Sequence, residues 1–362
     1  MIRPTDNRTL LRTLGVRIPI IQAPMAGVGT PALAAAVSNA GGLGSLGVGA
    51  TNAEGARKMI RDTRALTERP FNVNLFCHQP ARADAAVERA WLDWLAPAFR
   101  EQRAAPPASL AEIYTSFVAD DAMLEMLLDE KPAVVSFHFG LPSDEAIAVL
   151  KRAGITLFAT ATHPAEAAQI AAAGIDAIVA QGIEAGGHRG VFDSTGRDDG
   201  LGTFALTRLL VRECAVPVIA AGGIMDGEGI AAALALGAQA AQLGTAFLTC
   251  AESAIAADWK ARVRASADTS TQVTRAITGR HARGLRNTLM ARLGEHVAEV
   301  PPYPVQNALT QPLRQAAARA NDGDYLSLWA GQGAPLTRRR DAALSAAQLV
   351  DALDAEWRAM AA

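Results

Sequence analysis

The sequence predicts an α/β protein, a (β/α)8 TIM barrel carrying a smaller helical cap domain at its C-terminus. Three observations predict it. Eight short apolar runs recur between residues 18 and 248, helical patterns separate them, and the first strand-to-helix turn, APMAGVGTP, lacks the GxGxxG spacing that an open doubly wound sheet carries there. The runs are IPIIQAP (18–24), GLGSLG (42–47), FNVNLF (71–76), AVVSFHF (133–139), TLFATA (156–161), AIVAQG (177–182), PVIAAGG (217–223) and AAQLGTAFL (240–248). As a set they lack the in-out alternation of half-exposed strands, which fits parallel strands covered on both faces. The helices between them carry their own punctuation. PALAAAVSNAGG ends in the glycines expected just past a helix, SDEAIAVLKRAG opens on Ser143 as its N-cap, and HPAEAAQIAAAG has Pro164 in its first turn.

Two segments exceed a minimal barrel. Residues 80–131 are helical in pattern and bear Trp91 and Trp94, so they read as an enlarged connection after the third strand. From 251 onward the pattern turns irregular, with TGRHARGLRN and PPYPVQNALT between helices. Trp259, Tyr303, Tyr325, Trp329 and Trp357 need burial there. The chain therefore divides into a barrel over 1–250 and a C-terminal helical segment over 251–362 that packs on the barrel and its active site.

Composition narrows the function. Of 362 residues half are apolar and 19% charged, enough for a large core, and the formal net charge is −2. TRRRD (337–341) is the one dense basic spot, too short for a nucleic-acid footprint. Cys77, Cys214 and Cys250 are scattered and odd in number, which points to a reducing cytosol and no disulfide framework. The first fifteen residues lack the apolar core of a signal peptide. No charge occurs between Glu228 and Glu252, yet Gly237, Gln239, Gln242, Gly244 and Thr245 interrupt that stretch. It reads as a buried helix turning into a buried strand, not a membrane span. The expectation is a cytoplasmic protein without nucleic-acid or membrane partners.

In such a barrel the chemistry sits where strands end. Gly222 and Gly223 end the seventh strand and Gly244-Thr245 the eighth, the usual phosphate site of this fold. A phosphorylated ligand is the leading reading, with tight strand-helix packing as the alternative. Asn74, Gln181 and Gln242 place amides at strand ends, where they either meet the donor-acceptor edge of a flavin ring or serve as satisfied core amides. The sixth strand runs into QGIEAGGHRG. Gly186 and Gly187 let the chain bend over a ligand and present His188, which either abstracts a proton or, protonated, holds an anion. Arg189 holds an anion or pairs with Glu184. His138, in SFHFG, is a substrate contact or a core residue. His78 is a weaker candidate, His163 looks like a helix start, and His281 and His296 lie outside the barrel.

QAPMAG, FNVNLFCH, AQGIEAGGHRG, AAGGI and LGAQAAQLGTAFL, in this order, resemble the nitronate monooxygenases, formerly called 2-nitropropane dioxygenases. The resemblance runs over 18–250, continues weakly through TGRHARGLRN and PPYP, and is closest to the bacterial class I type. It implies non-covalent FMN, no metal, and oxidation of alkyl nitronates, typically propionate 3-nitronate, by O2 to a carbonyl compound and nitrite, without NADH. It also implies that Ala23, Met25, Asn74, Gln181, Gly186, Gly187, Gly222, Gly223, Gln242, Leu243, Gly244 and Thr245 lie at the cofactor. His188 becomes the base or anion-holding histidine, with His138 and Tyr303 on the substrate side. His281 stands where proline is expected, so that loop departs from the family pattern. The state is a monomer or homodimer. The rival within this fold is an NAD(P)H-dependent FMN reductase acting on enoyl thioesters or quinones.

Overall fold

The computed structural model describes residues 9–361 apart from 83, 197, 268–269, 295–298 and 341–343. His296 and Asp341 fall outside the described residues. All eight expected runs are strands. Strands β1 (Ile20–Gln22), β2 (Gly44–Gly47), β3 (Phe71–Phe76), β4 (Val134–His138), β5 (Thr156–Ala161) and β6 (Ala177–Gln181) follow in order. A two-residue strand, β7 (Gly187–His188), lies outside the barrel, and β8 (Val218–Ala221) and β9 (Ala240–Leu243) complete it. The eight are parallel in the order β1-β9-β8-β6-β5-β4-β3-β2, and a parallel bridge between Ile21 and Leu43 joins the two ends. The sheet is a closed (β/α)8 barrel.

Burial explains the continuous apolar runs. Ile21, Leu43, Val134, Phe158, Val179, Ile219 and Ala240 fill the barrel interior together with Leu11 and Val16. Leu11 belongs to the helix Thr9–Thr13, so the N-terminal segment packs among residues at the starts of the strands. The opposite faces of the strands bury Val135, Leu157, Ile178 and Val218 against the surrounding helices. Local signals start and stop those helices as the sequence implies. Ser143 Oγ accepts from Ala146 N–H, Pro164 opens its helix after His163, and Gly41 closes Pro31–Ala40 in the left-handed region. The uncharged stretch 229–251 contains the end of the helix Gly227–Ala235 and β9. Among the described residues no helix is long and apolar enough to cross a membrane.

The enlarged connection is helical over Ala85–Glu101 and Asp121–Glu130. Its buried Trp91, Leu95 and Phe99 share one core with Leu289, Met290, Leu309 and Leu313 of the C-terminal segment. That segment is helical at Ala257–Arg264, Thr288–Gly294, Val305–Ala320 and Ala346–Ala361. It also holds strands, which the sequence did not disclose: β10 (Thr271–Thr274) and β11 (Ala282–Leu285) pair antiparallel, and β11 pairs with β7. The last helix lies on Gly227–Ala235 and Pro31–Ala40, burying Leu349, Val350 and Leu353. Helix contact is close there, since a Cβ on Gly227 would come 2.2 Å from that of Glu356. Tyr303 and Tyr325 are buried, and Trp259, Trp329 and Trp357 half-buried.

Candidate active site

The strand ends bring the expected glycines together. Gly222 and Gly223 follow β8 with φ of 122° and 71°, a region that side chains with a Cβ avoid. Gly244 and Thr245 follow β9, and Gly244 carbonyl accepts from Phe247 N–H in a tight turn. Among the described residues, the N–H groups of Gly222, Gly223 and Gly244 donate to no other backbone group. Ala23 and Met25, at the end of β1, adjoin this turn: a Cβ on Gly244 would stand 3.4 Å from Ala23 Cβ and 3.8 Å from Met25 Sδ. Leu243 is buried, and its carbonyl accepts from Ala23 N–H. Gln242 is half-buried at the rim.

The C-terminal segment completes this end through a turn that sequence reading missed. In AGQGAP (330–335), Gly331 N–H donates to Thr245 Oγ1 at 2.9 Å and Gln332 N–H to Glu184 carbonyl at 2.9 Å. A Cβ on Gly331 would lie 2.7 Å from Glu184 carbonyl, and one on Gly333 2.8 Å from Gly223 carbonyl. Spare N–H donors and a backbone stripped of Cβ atoms suit a phosphate, which needs donors and close approach. The residues present therefore fit a phosphate-bearing cofactor.

Beside it runs the loop Gly186–Gly190. Gln181, at the end of β6, has its amide committed to that loop: Nε2 donates to His188 carbonyl at 2.9 Å, and Oε1 accepts from Gly190 N–H at 2.8 Å. Arg189 does not pair with Glu184, and its guanidinium is taken up by groups of the protein itself. Its fully buried guanidinium holds Asp198 at 2.7 Å and the carbonyls of Gln181 and Gly182 at 2.8 and 2.9 Å. Glu184 instead accepts from Thr203 N–H and hydroxyl at the start of another helix, where a carboxylate is favoured. Gly186 packs against Gly331, and Gly187, with φ of 73°, leads into β7. Pairing of β7 with β11 sets His188 opposite Ala282, and His281 carbonyl accepts from Arg189 N–H at 2.8 Å. His281, half-buried, thus stands at the entry to β11, just before the antiparallel ladder.

His188, His138 and Tyr303 meet, although 165 residues separate the first two from the third at most. His138 bonds Thr160 Oγ1 through Nδ1 at 3.1 Å and His188 carbonyl through Nε2 at 3.2 Å. The His188 ring lies 5.6 Å from Tyr303, 5.7 Å from Phe139 and 5.5 Å from Trp329, with Nε2 2.9 Å from Thr278 Oγ1. Asn74 is buried nearby on β3, its amide N–H on Ser136 Oγ at 2.9 Å. Burial, then the charges around them, pulls His188 down to about 3 and His138 to about 4. Both are neutral at pH 7, so towards an anion either ring would act as an N–H donor and not as an imidazolium.

Tyr114, Arg280 and Arg314 of this pocket escaped the sequence reading, and His78, a weaker candidate there, joins them. Tyr114 donates its hydroxyl to Tyr303 at 2.5 Å and accepts from Asn307 amide at 3.0 Å, which leaves the Tyr303 proton for a further acceptor. His78 is 1% exposed, stands edge-on to Tyr303 at 5.0 Å, and has no partner for either ring nitrogen among the described residues. Burial and Arg280 bring it to about 4. Arg280 lies 4.2 Å over the Phe139 ring and, among the described residues, bonds only the carbonyls of Val191 and Phe192. Among the described residues Arg314 bonds only Asn307. Burial lowers both guanidinium groups to about 10, where they keep their charge at neutral pH. Phe139 itself carries φ of 75°, a strained value for a residue with a Cβ, at the end of β4.

Comparison with known proteins gives a consistent picture. A family model described as "Nitronate monooxygenase" matches residues 7–356. A nitronate monooxygenase of Paraburkholderia phytofirmans is 61% identical over 98% of this chain and 96% of its own length. One from Pseudomonas aeruginosa is 52% identical over 96% and 99%. The solved structure of a nitroalkane oxidase from Streptomyces ansochromogenes superposes with a TM-score of 0.88 at 42% identity, covering 98% of this chain and all of that one.

Proposed function

The chain belongs to the nitronate monooxygenase family, and we propose that it oxidises alkyl nitronates, typically propionate 3-nitronate, with O2 on non-covalently bound FMN. The products are a carbonyl compound and nitrite, and NADH takes no part. The family is flavin-dependent, and the choice of FMN rests on the phosphate end. Gly222, Gly223, Gly244 and Thr245 offer N–H groups and a hydroxyl there, with the Gly331–Gly333 turn close by. When bound, the flavin supplies the electron acceptor for the nitronate and the route by which oxygen is reduced.

One observation carries the reading: that cradle and the His188–Tyr303 pocket share one rim, and the pocket is cationic without being basic. A nitronate is an anion and already a carbanion equivalent, so its oxidation requires no proton removal. Arg280 and Arg314 form no ion pair among the described residues, and they supply the positive potential that draws the anion in. Tyr303 and His188 donate to its oxygens, and Phe139 and Trp329 exclude water from the reacting carbon. A neutral nitroalkane adds one demand. Its carbon must lose a proton first, and His188 is the base.

On this reading residues 1–250 form the cofactor barrel, 80–131 its enlarged connection, and 251–362 the segment that closes it. The enzyme works in the cytoplasm as a monomer or homodimer. The visible spectrum of the purified protein is the test. It should show oxidised flavin that anaerobic propionate 3-nitronate bleaches and NADH does not. Rapid bleaching by NADH alone would favour the reductase alternative, and a colourless protein that takes up no FMN would end both.

A further inference from the structure

Thr278 lies in the pocket without a part in the reaction as described. Its buried hydroxyl stands 2.9 Å from His188 Nε2 and 3.4 Å from the carbonyl of Arg280. The β7–β11 pairing sets His188 opposite Ala282, four residues beyond Thr278. Nδ1 of His188 has no hydrogen-bond partner among the described residues. A neutral imidazole carries one donor and one acceptor nitrogen, and the partner of one decides the role of the other. A carboxylate or carbonyl behind Nε2 would lock a single tautomer. A hydroxyl does not. It accepts from Nε2–H while giving its own proton to the Arg280 carbonyl, or it turns and donates to a bare Nε2.

We propose that Thr278 is a positioning residue that lets His188 change tautomer with its substrate, leaving Nδ1 bare for a neutral nitroalkane and protonated for a nitronate. This rests on the reading of His188 given above. With a nitroalkane the carbon–hydrogen bond breaks, the proton goes to Nδ1, and the electron pair stays on the nitronate. Nε2–H donates to Thr278 throughout, so the new imidazolium keeps both its protons bonded beside the new anion. With a nitronate no bond to hydrogen breaks. Thr278 donates to Nε2, and Nδ1–H holds a nitro oxygen.

The test has two arms. Thr278→Val should retain flavin and lose about tenfold to a hundredfold in kcat/KM for nitroethane, while propionate 3-nitronate changes by less than about fivefold. Thr278→Ser, which restores the hydroxyl, should recover both. Equal losses with the two substrates, no loss with either, or failure of serine to rescue would overturn the proposal. The second arm is ¹⁵N NMR of histidine-labelled, flavin-loaded wild type, with His188 assigned through His188→Asn. It should show Nε2–H in the free protein and Nδ1–H when nitrate, a planar anion that cannot be oxidised, is added. One tautomer in both states would overturn the proposal equally. That arm needs no turnover, so an inactive wild type would count against the nitronate reading alone.

Discussion

His188 stands where a protonated imidazole is costly, among buried arginines and a second histidine. A base that is neutral at rest removes a proton only as an anion forms beside it. His188→Asn should therefore keep its flavin and much of its nitronate oxidation, while activity with nitroethane falls by about 10²- to 10⁴-fold. Steady-state oxygen uptake with both substrates at saturating FMN checks this, and equal loss of both would contradict it. Stability carries a second signature of the same burial. In an unfolded chain histidine titrates near 6.5, whereas folded His78 and His138 sit near 4 and His188 near 3. All three folded values are depressed, so between those pH values the unfolded chain binds protons that the fold refuses. The contribution is complete above about pH 6.5 and is lost as pH falls toward 4. Urea midpoints measured from pH 7 to pH 4.5 should drop steeply, and His78→Gln should flatten the slope; an unchanged slope would show that His78 titrates normally. His188 and His138 could be named as candidates from the sequence because glycines and strand ends frame them, whereas Tyr303 entered only through the family resemblance. His78 was only a weaker candidate, and Arg280, Arg314 and Tyr114 were not legible, because each takes its meaning from a neighbour distant in sequence: Tyr303 is 189 residues from Tyr114.

At the level of elements, the eight barrel strands could be read because a strand buried on both faces must be apolar along its length. Strands β7, β10 and β11 could not. They are two to four residues long and only partly apolar, and pairing alone defines them. That small sheet joins the His188 loop to the C-terminal segment, and the Gly331–Gly333 turn makes a second junction beside Gly223 and Thr245. The turn's spacing, G-x-G, is too common to signal a site by itself. Its role emerges from what a side chain would strike. Gly331→Ala puts a Cβ against Glu184 carbonyl and Gly186 N, and the turn must then withdraw from Thr245. Flavin affinity, titrated by fluorescence quenching, should weaken by about tenfold or more, on the order of the one hydrogen bond lost at Thr245. An unchanged Kd would mean that the turn does not border the cofactor. Gly294→Ala, with open space around it, is the matched control.

For the molecule as a whole, the question is whether the C-terminal segment is a lid that opens by itself or part of one cooperative fold. The packing favours one fold. The helix Ala346–Ala361 buries Leu349, Val350 and Leu353 in the same cluster as Ile20, Leu33 and Leu243 of the barrel. The ion pair of Arg340 with Glu356, whose carboxylate also accepts from Gly227 N–H, ties its far end to a barrel helix. The enlarged connection shares a core with Val305–Ala320 on the other side. A ligand that binds only the folded state slows every opening that requires global unfolding by the factor 1 + [L]/Kd. At about 100 times Kd, FMN should therefore slow hydrogen exchange of the core amides of Ala346–Ala361 about a hundredfold, as much as those of β8 and β9. Mass-spectrometric exchange resolves the two regions separately. If FMN protects the strands and leaves the last helix exchanging at its free rate, the helix opens independently of the barrel. The chain would then be two cooperative units rather than one, and the apolar contacts of Leu349, Val350 and Leu353 would be too weak to couple the end of the chain to the cofactor.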